Sequence, residues 1–177
     1  MSISVIVPVY NESENINIFL DRITPVLENI NVPYEIIFVM DPSSDDTEEL
    51  ILNSLKNNSK IKLIKLSRRF GQPAATLAGI NNASFENVVF IDVDLQDPPE
   101  LISEMYKYSK QGYQTILARR NKKKGENFFR NFFSKIGYHL IEKLSDTNIP
   151  KNVGEFRLVS KRVLKEINKL DEPDFFL

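Results

Sequence analysis

Short apolar runs alternate along the chain with stretches whose apolar residues recur every three or four positions. The runs are residues 3–9 (ISVIVPV), 34–40 (YEIIFVM), 62–67, 88–91 and 115–118, rich in β-branched and aromatic side chains. They predict strands, and those apolar on both faces predict strands buried within a sheet. Between the first two runs, Ile16, Phe19, Leu20, Ile23 and Leu27 form a helical stripe. Asn11 or Ser13 is the expected cap of that helix, and Pro25 is expected to kink it or end its regular part. Leu50, Ile51 and Leu55 mark a second helix, residues 73–83 a third made of small side chains, and residues 101–110 a fourth. Strand alternating with helix predicts an α/β fold, a mostly parallel sheet with helices on both faces.

In open sheets of this kind ligands bind beyond the carboxyl ends of the strands. Glu12, Asp41, Arg68, Asp92, Asp94 and Arg119 all fall just past predicted strand ends, so one shared site is expected. The most pointed of these ends is FIDVDLQDPPE, where a buried strand runs straight into acid. Burying carboxylates without partners is strongly unfavourable. A hard divalent cation, Mg²⁺ or Mn²⁺, takes oxygen ligands and bridges to phosphates, which would offset that penalty. If the strand persists through Gln96, alternation sets Asp92, Asp94 and Gln96 on one side. The alternative is an acidic turn that caps the next helix. Arg68, Arg69 and Arg119 suit phosphate oxygens, Asp41 a base edge or ribose, and Tyr10 a stacked base. Taken singly, the same residues also read as a solvated arginine pair, a turn or helix cap, and packing at a rim.

Composition narrows the classes. The 177 residues suffice for a single domain, and 42% hydrophobic with 27% charged residues is ordinary for a globular protein. A net charge of −1 gives no field that would attract nucleic acid. Without cysteine there are no disulfides or thiolate metal sites, and the single His139 excludes a multi-histidine zinc site. No apolar run is long enough to span a bilayer.

Beyond Lys122-Lys123-Lys124, residues 126–144 form a helical pattern with Phe128, Phe129, Phe132, Phe133, Ile136, Leu140, Ile141 and Leu144 on one stripe. Phenylalanines beside a basic cluster fit a helix lying in a membrane interface, and equally a helix packed on the sheet with its lysines in water. Gly154 suggests a tight turn or a close backbone approach. Glu155 and Arg157 then alternate with Phe156 and Leu158, a half-buried strand. Glu155 can serve as a general base or pair with Arg157. Residues 160–170 predict a capped helix. The apolar ending Phe175-Phe176-Leu177 is expected in a chain cut short or one that docks onto a partner.

VIVPVYNE, the Asp41 turn, LSRRFGQPAATLAGI, DVDLQDPPELI and VGEFRLVS, in this order over nearly the whole chain, resemble the family 2 glycosyltransferases. They are most similar to the branch acting on polyprenyl phosphates. The joint occurrence of the Asp-x-Asp-Leu-Gln-Asp-Pro-Pro-Glu and Ser-Arg-x-Phe-Gly motifs is far more specific than either alone. The resemblance implies one GT-A (Rossmann-like) domain over residues 1–177 that transfers a sugar, with inversion, from a UDP- or GDP-linked donor to a polyprenyl phosphate. It implies that Pro8, Tyr10, Glu12 and Asp41 contact the nucleoside, that Asp92 meets the nucleotide, and that Asp94 and Gln96 hold Mg²⁺ or Mn²⁺. Arg119 and Arg157 would steady the donor and acceptor phosphates, and Glu155 stands where the bacterial branch commonly has its proposed base, an aspartate. It further implies work at the cytoplasmic face of the cell membrane, approached through the 128–144 helix, with a homo-oligomer or a membrane partner. The family's Asp-Asp-Gly-Ser turn is replaced here by Met40-Asp41-Pro42-Ser43, and losing the glycine restricts the turn. A family 2 enzyme acting on a soluble glycan and a non-catalytic nucleotide-sugar-binding subunit are the competing expectations.

Overall fold

A computed structural model of the protein describes residues 1–119, 153–167 and 169. The segment 126–144 expected to be helical, with its phenylalanines and His139, lies outside the described residues, as do the end of the last expected helix and the apolar ending. The chain divides into two compact units, Met1–Ile116 with Glu155–Leu177, and Leu117–Gly154. The site belongs to the first.

The strands are β1 (Ile3–Val9), β2 (Tyr34–Met40), β3 (Ile61–Lys65), β4 (Asn87–Phe90), β5 (Thr115–Arg119) and β6 (Val153–Ser160). The helices are α1 (Ser13–Ile30), α2 (Thr47–Asn57), α3 (Gln72–Asn82), α4 (Ile102–Lys110, entered through a 3-10 turn at Pro99–Leu101) and α5 (Lys161–Ile167). The sheet order is β3-β2-β1-β4-β6-β5. β1 pairs in parallel with β2 and β4, and β2 in parallel with β3. β6 pairs antiparallel with β4, Phe90 opposite Arg157. The sheet is therefore mixed, with a parallel centre, as expected from the strand–helix alternation. Gly154 lies within β6 rather than in a turn.

β1 and β2 are interior strands because both of their faces are almost wholly apolar. Ile6, Ile37, Val39, Val88 and Phe90 face one side and pack with Ala75 and Ile80 of α3 and Leu164 of α5. The opposite side takes the stripe of α1, where Phe19 meets Phe38 edge-on with ring centroids 6.2 Å apart. Pro25 neither ends this helix nor frees its last turn, since Leu27 stays fully buried and the helix runs on to Ile30. Burying each such side chain contributes about 1.5–3 kcal/mol. The close approach of α3 to β1 depends on Gly79, where an added Cβ would meet Ile6.

Two local expectations are revised. Neither Asn11 nor Ser13 caps α1 with its own side chain. The N–H groups of Glu12 and Ser13 instead donate to Thr47 Oγ1 and Asp45 Oδ2, at 2.8 and 3.0 Å, from the turn after β2. The strand before the acidic motif also does not persist to Gln96. β4 ends at Phe90, and the chain turns through Leu95 at φ 59°, in the left-handed region.

Candidate functional site

The carboxyl ends of β1, β2 and β4 open onto a cleft of about 260 Å³ whose lining includes Pro8, Tyr10, Glu12, Asp41, Gln72, Asp92 and Asp94. Parallel pairing accounts for the gathering. In register, Val9 stands beside Met40 and Ile6 beside Phe90, so the polar residues that follow each strand emerge at the same edge. Six of the residues expected at the site thus line one cavity.

Local hydrogen bonds hold this rim. Left-handed Asn11, at φ 54°, accepts from Ser44 N at 2.8 Å while its own N–H donates to Ser43 Oγ at 3.1 Å. With the bonds to Thr47 and Asp45, the turns after β1 and β2 are laced together, and Glu12 is held at the start of α1. Its Oε2 accepts from Asn15 Nδ2 at 2.7 Å. Asp41 is buried, 4% exposed, and its two oxygens accept from Phe70 N at 3.0 Å and Gly71 N at 2.9 Å. Asp41 therefore ties the arginine loop to the end of β2. A carboxylate oxygen accepts more than one hydrogen bond, so this tether still leaves capacity toward a ligand in the cleft.

The arginine loop sits on aromatic faces. Arg69 lies over the ring of Tyr10, 4.1 Å from its centroid, and Arg68 over Phe70 at 4.6 Å. Arg68 is not among the lining residues of the cleft, and one face of Tyr10 already carries Arg69. Arg119 is exposed at the end of β5, in the second unit.

At the acidic motif, Asp92 and Asp94 reach the cleft by a turn rather than by strand alternation. Asp94 Oδ1 accepts the N–H of Gln96 at 3.0 Å, which closes that turn. Gln96 itself is exposed and does not line the cavity. Glu155 arrives from β6. Extending the β4–β6 register two residues beyond Phe90 and Arg157 sets it opposite Asp92. Arg157 is half-buried and donates from Nε to the backbone carbonyl of Glu155 at 3.2 Å. Burial lowers its pKa, and the nearby charge of Glu155 offsets only part of that; a guanidinium still stays cationic throughout the physiological range. Gln72 was not singled out from the sequence, yet its Nε2 donates to Asp92 Oδ1 at 2.8 Å and to Glu155 Oε2 at 3.1 Å. Its position directly after Gly71, at the mouth of α3, was the available signal.

The donor set suits a cation shared with a ligand. Among the described residues no three His, Cys, Asp or Glu side chains gather as a self-sufficient metal cage. Mg²⁺ and Mn²⁺ commonly take one or two carboxylates and complete their shell with phosphate oxygens and water. Asp94, exposed and beside Asp92, meets that requirement.

Residues 4–168 match the family model described as glycosyl transferase family 2. The chain is 38% identical over 174 residues to the glycosyltransferase YkcC of Bacillus subtilis, covering 98% of this chain and 54% of that protein. It is 34% identical over 177 residues to the bactoprenol glucosyl transferase of Shigella phage SfV, covering 100% of this chain and 58% of that one. The chain thus spans little more than half the length of these relatives. Among solved structures, glucosyl-3-phosphoglycerate synthase of Mycobacterium tuberculosis, in complex with Mn²⁺, UDP-glucose and phosphoglyceric acid, superposes with a TM-score of 0.64 at 22% identity, covering 92% of this chain and 57% of that one. That likeness establishes the GT-A fold. With the family match spanning nearly the whole sequence and the acidic cleft at its sheet edge, the chain belongs to glycosyl transferase family 2.

Proposed function

We propose that this domain transfers a sugar, with inversion, from a nucleotide sugar to a polyprenyl phosphate. The observation that carries the reading is the charge of the cleft. Glu12, Asp41, Asp92 and Asp94 line it, and no Lys or Arg is among its described lining residues. A nucleoside diphosphate entering such a cavity meets like charge unless a cation accompanies it. Asp94, with Gln96 nearby, would hold Mg²⁺ or Mn²⁺, which when bound neutralises charge developing on the departing diphosphate. Pro8, Tyr10, Glu12 and Asp41 would hold the nucleoside. Arg157 would steady a phosphate, as would Arg119 and Arg68. The bactoprenol relative, 34% identical, supports a polyprenyl acceptor.

In this reaction an acceptor phosphate oxygen attacks the anomeric carbon. The bond from that carbon to the diphosphate oxygen breaks, and its electron pair leaves with the nucleoside diphosphate. A phosphate acceptor is already anionic at neutral pH, so Glu155 has little proton to remove and serves to orient the attack. The 128–144 segment is the proposed contact with the membrane surface, at its cytoplasmic face. Among the described residues no helix is long and apolar enough to cross a membrane.

The test is transfer of labelled sugar from UDP-glucose or GDP-mannose to a short-chain polyprenyl phosphate in detergent, with Mn²⁺. Label moving to the lipid supports the reading. Transfer only to soluble glycans, or donor binding with no transfer to either acceptor, overturns it.

A further inference from the structure

We infer that Gln72 is a positioning residue that locks the Glu155 carboxylate against the nucleotide side of the site; the inference rests on the functional reading above. One amide nitrogen spans two strands. Asp92 follows β4, Glu155 lies in β6, and the antiparallel register sets them opposite each other just past the last paired residues. Two carboxylates placed so repel, and both lie past the paired stretch of β4 and β6. Gln72 Nε2 carries two hydrogens and donates toward both, at 2.8 Å to Asp92 Oδ1 and 3.1 Å to Glu155 Oε2. Both neighbours only accept when ionised, so the amide must present its nitrogen to them.

Gln72 is itself held. It opens α3 directly after Gly71, whose φ of 86° suits glycine and whose N–H is gripped by the buried Asp41 carboxylate at 2.9 Å. A continuous chain of contacts therefore runs from Asp41, at the predicted nucleoside end, through Gly71 and Gln72 to Glu155, at the predicted acceptor end. The glutamate side chain has three rotatable bonds and so freedom to lose. The bridge supplies that restraint: it fixes which direction Glu155 faces without taking part in bond making. Lysine here would cancel one of the two charges instead, and a hydrophobic residue would release the pair.

Two measurements decide the matter. The first needs no turnover. In the ¹⁵N-labelled chain, the Gln72 side-chain amide signals are assigned by their loss in Gln72→Met. Glu155→Gln is expected to move one of the two amide proton signals and Asp92→Asn the other. If neither substitution moves either signal, the bridge does not exist and the inference is overturned. The second is transfer kinetics. Gln72→Met, close to glutamine in volume, is expected to lower kcat about tenfold with KM for donor and acceptor nearly unchanged. Glu155→Gln is expected to cost a similar factor, and the double variant no more than the larger single loss, because Gln72 acts through Glu155. Multiplying losses, or an effect confined to KM, would overturn the positioning role; a matching melting temperature for Gln72→Met sets misfolding aside. If the unaltered chain transfers nothing, the functional reading fails while the amide signals still decide the bridge.

Discussion

Asp45 carries two helix ends at once. Its Oδ2 accepts from Ser13 N at the start of α1, and its Oδ1 from Thr47 N and Oγ1 at the start of α2. Desolvation opposes its ionisation, but the hydrogen bonds from Thr47 and Ser13 outweigh that and hold its pKa at about 2, against 3.8 for a free aspartate. A depressed acid stabilises the folded state above its unfolded pKa, and that contribution fades as pH falls from 3.8 toward about 2. Asp45→Ala should cost about 0.5–2 kcal/mol at neutral pH, the usual worth of a lost cap. It should also flatten the acid dependence of the melting temperature in that window. Thermal melts of both forms across the window check this; parallel curves would contradict it. Asp41 makes a second case. Asp41→Asn keeps one acceptor oxygen but turns an N–H₂ group toward a backbone N–H. A loss of about 1–3 kcal/mol is expected in urea denaturation.

Among the elements, α3 lies so close to β1 that an added Cβ at Gly79 would meet Ile6, and Gly79→Ala tests that contact. The new methyl would press on Ile6, whose side chain is fully buried in the cluster it shares with Ile37, Ala75 and Ile80. Overpacking of this kind should destabilise by about 1–3 kcal/mol, read as a lower urea midpoint with unchanged slope. The elements also show what the sequence could and could not disclose. β1 and β2 were legible to the residue, because strands apolar on both faces and followed by polar turns leave little freedom. β3 and β4 shifted by a residue or two. Lys62 and Lys65 make β3 mixed in character, and Asn87 joins β4 although its side chain is polar. The cap of α1 was not legible, since its acceptors stand more than 30 residues away, at Asp45 and Thr47. Nor was the place of β6, because pattern shows a strand but not its neighbours. Once β6 inserts antiparallel beside β4, Glu155 faces Asp92 and the role of Gln72 becomes visible. The acidic motif was found for partly the wrong reason: Asp92 and Asp94 do line the cleft, but from the turn past the end of β4 at Phe90, and Gln96 does not join them.

At the scale of the whole molecule, three parallel strands deliver Glu12, Asp41, Asp92 and Asp94 to one cleft with no lysine or arginine among its described lining residues. Such a cavity should favour a nucleoside diphosphate only when a divalent cation comes with it. The most direct measurement is calorimetric binding of UDP and GDP, with and without Mn²⁺, to the unaltered chain and to Asp94→Asn. At least one nucleotide is expected to bind the unaltered chain with Mn²⁺ and to raise its stability by about 2.7 kcal/mol at a hundred times Kd. Chelating the metal or replacing Asp94 should remove most of that affinity. Binding that is indifferent to both, or no nucleotide binding at all, would contradict the account.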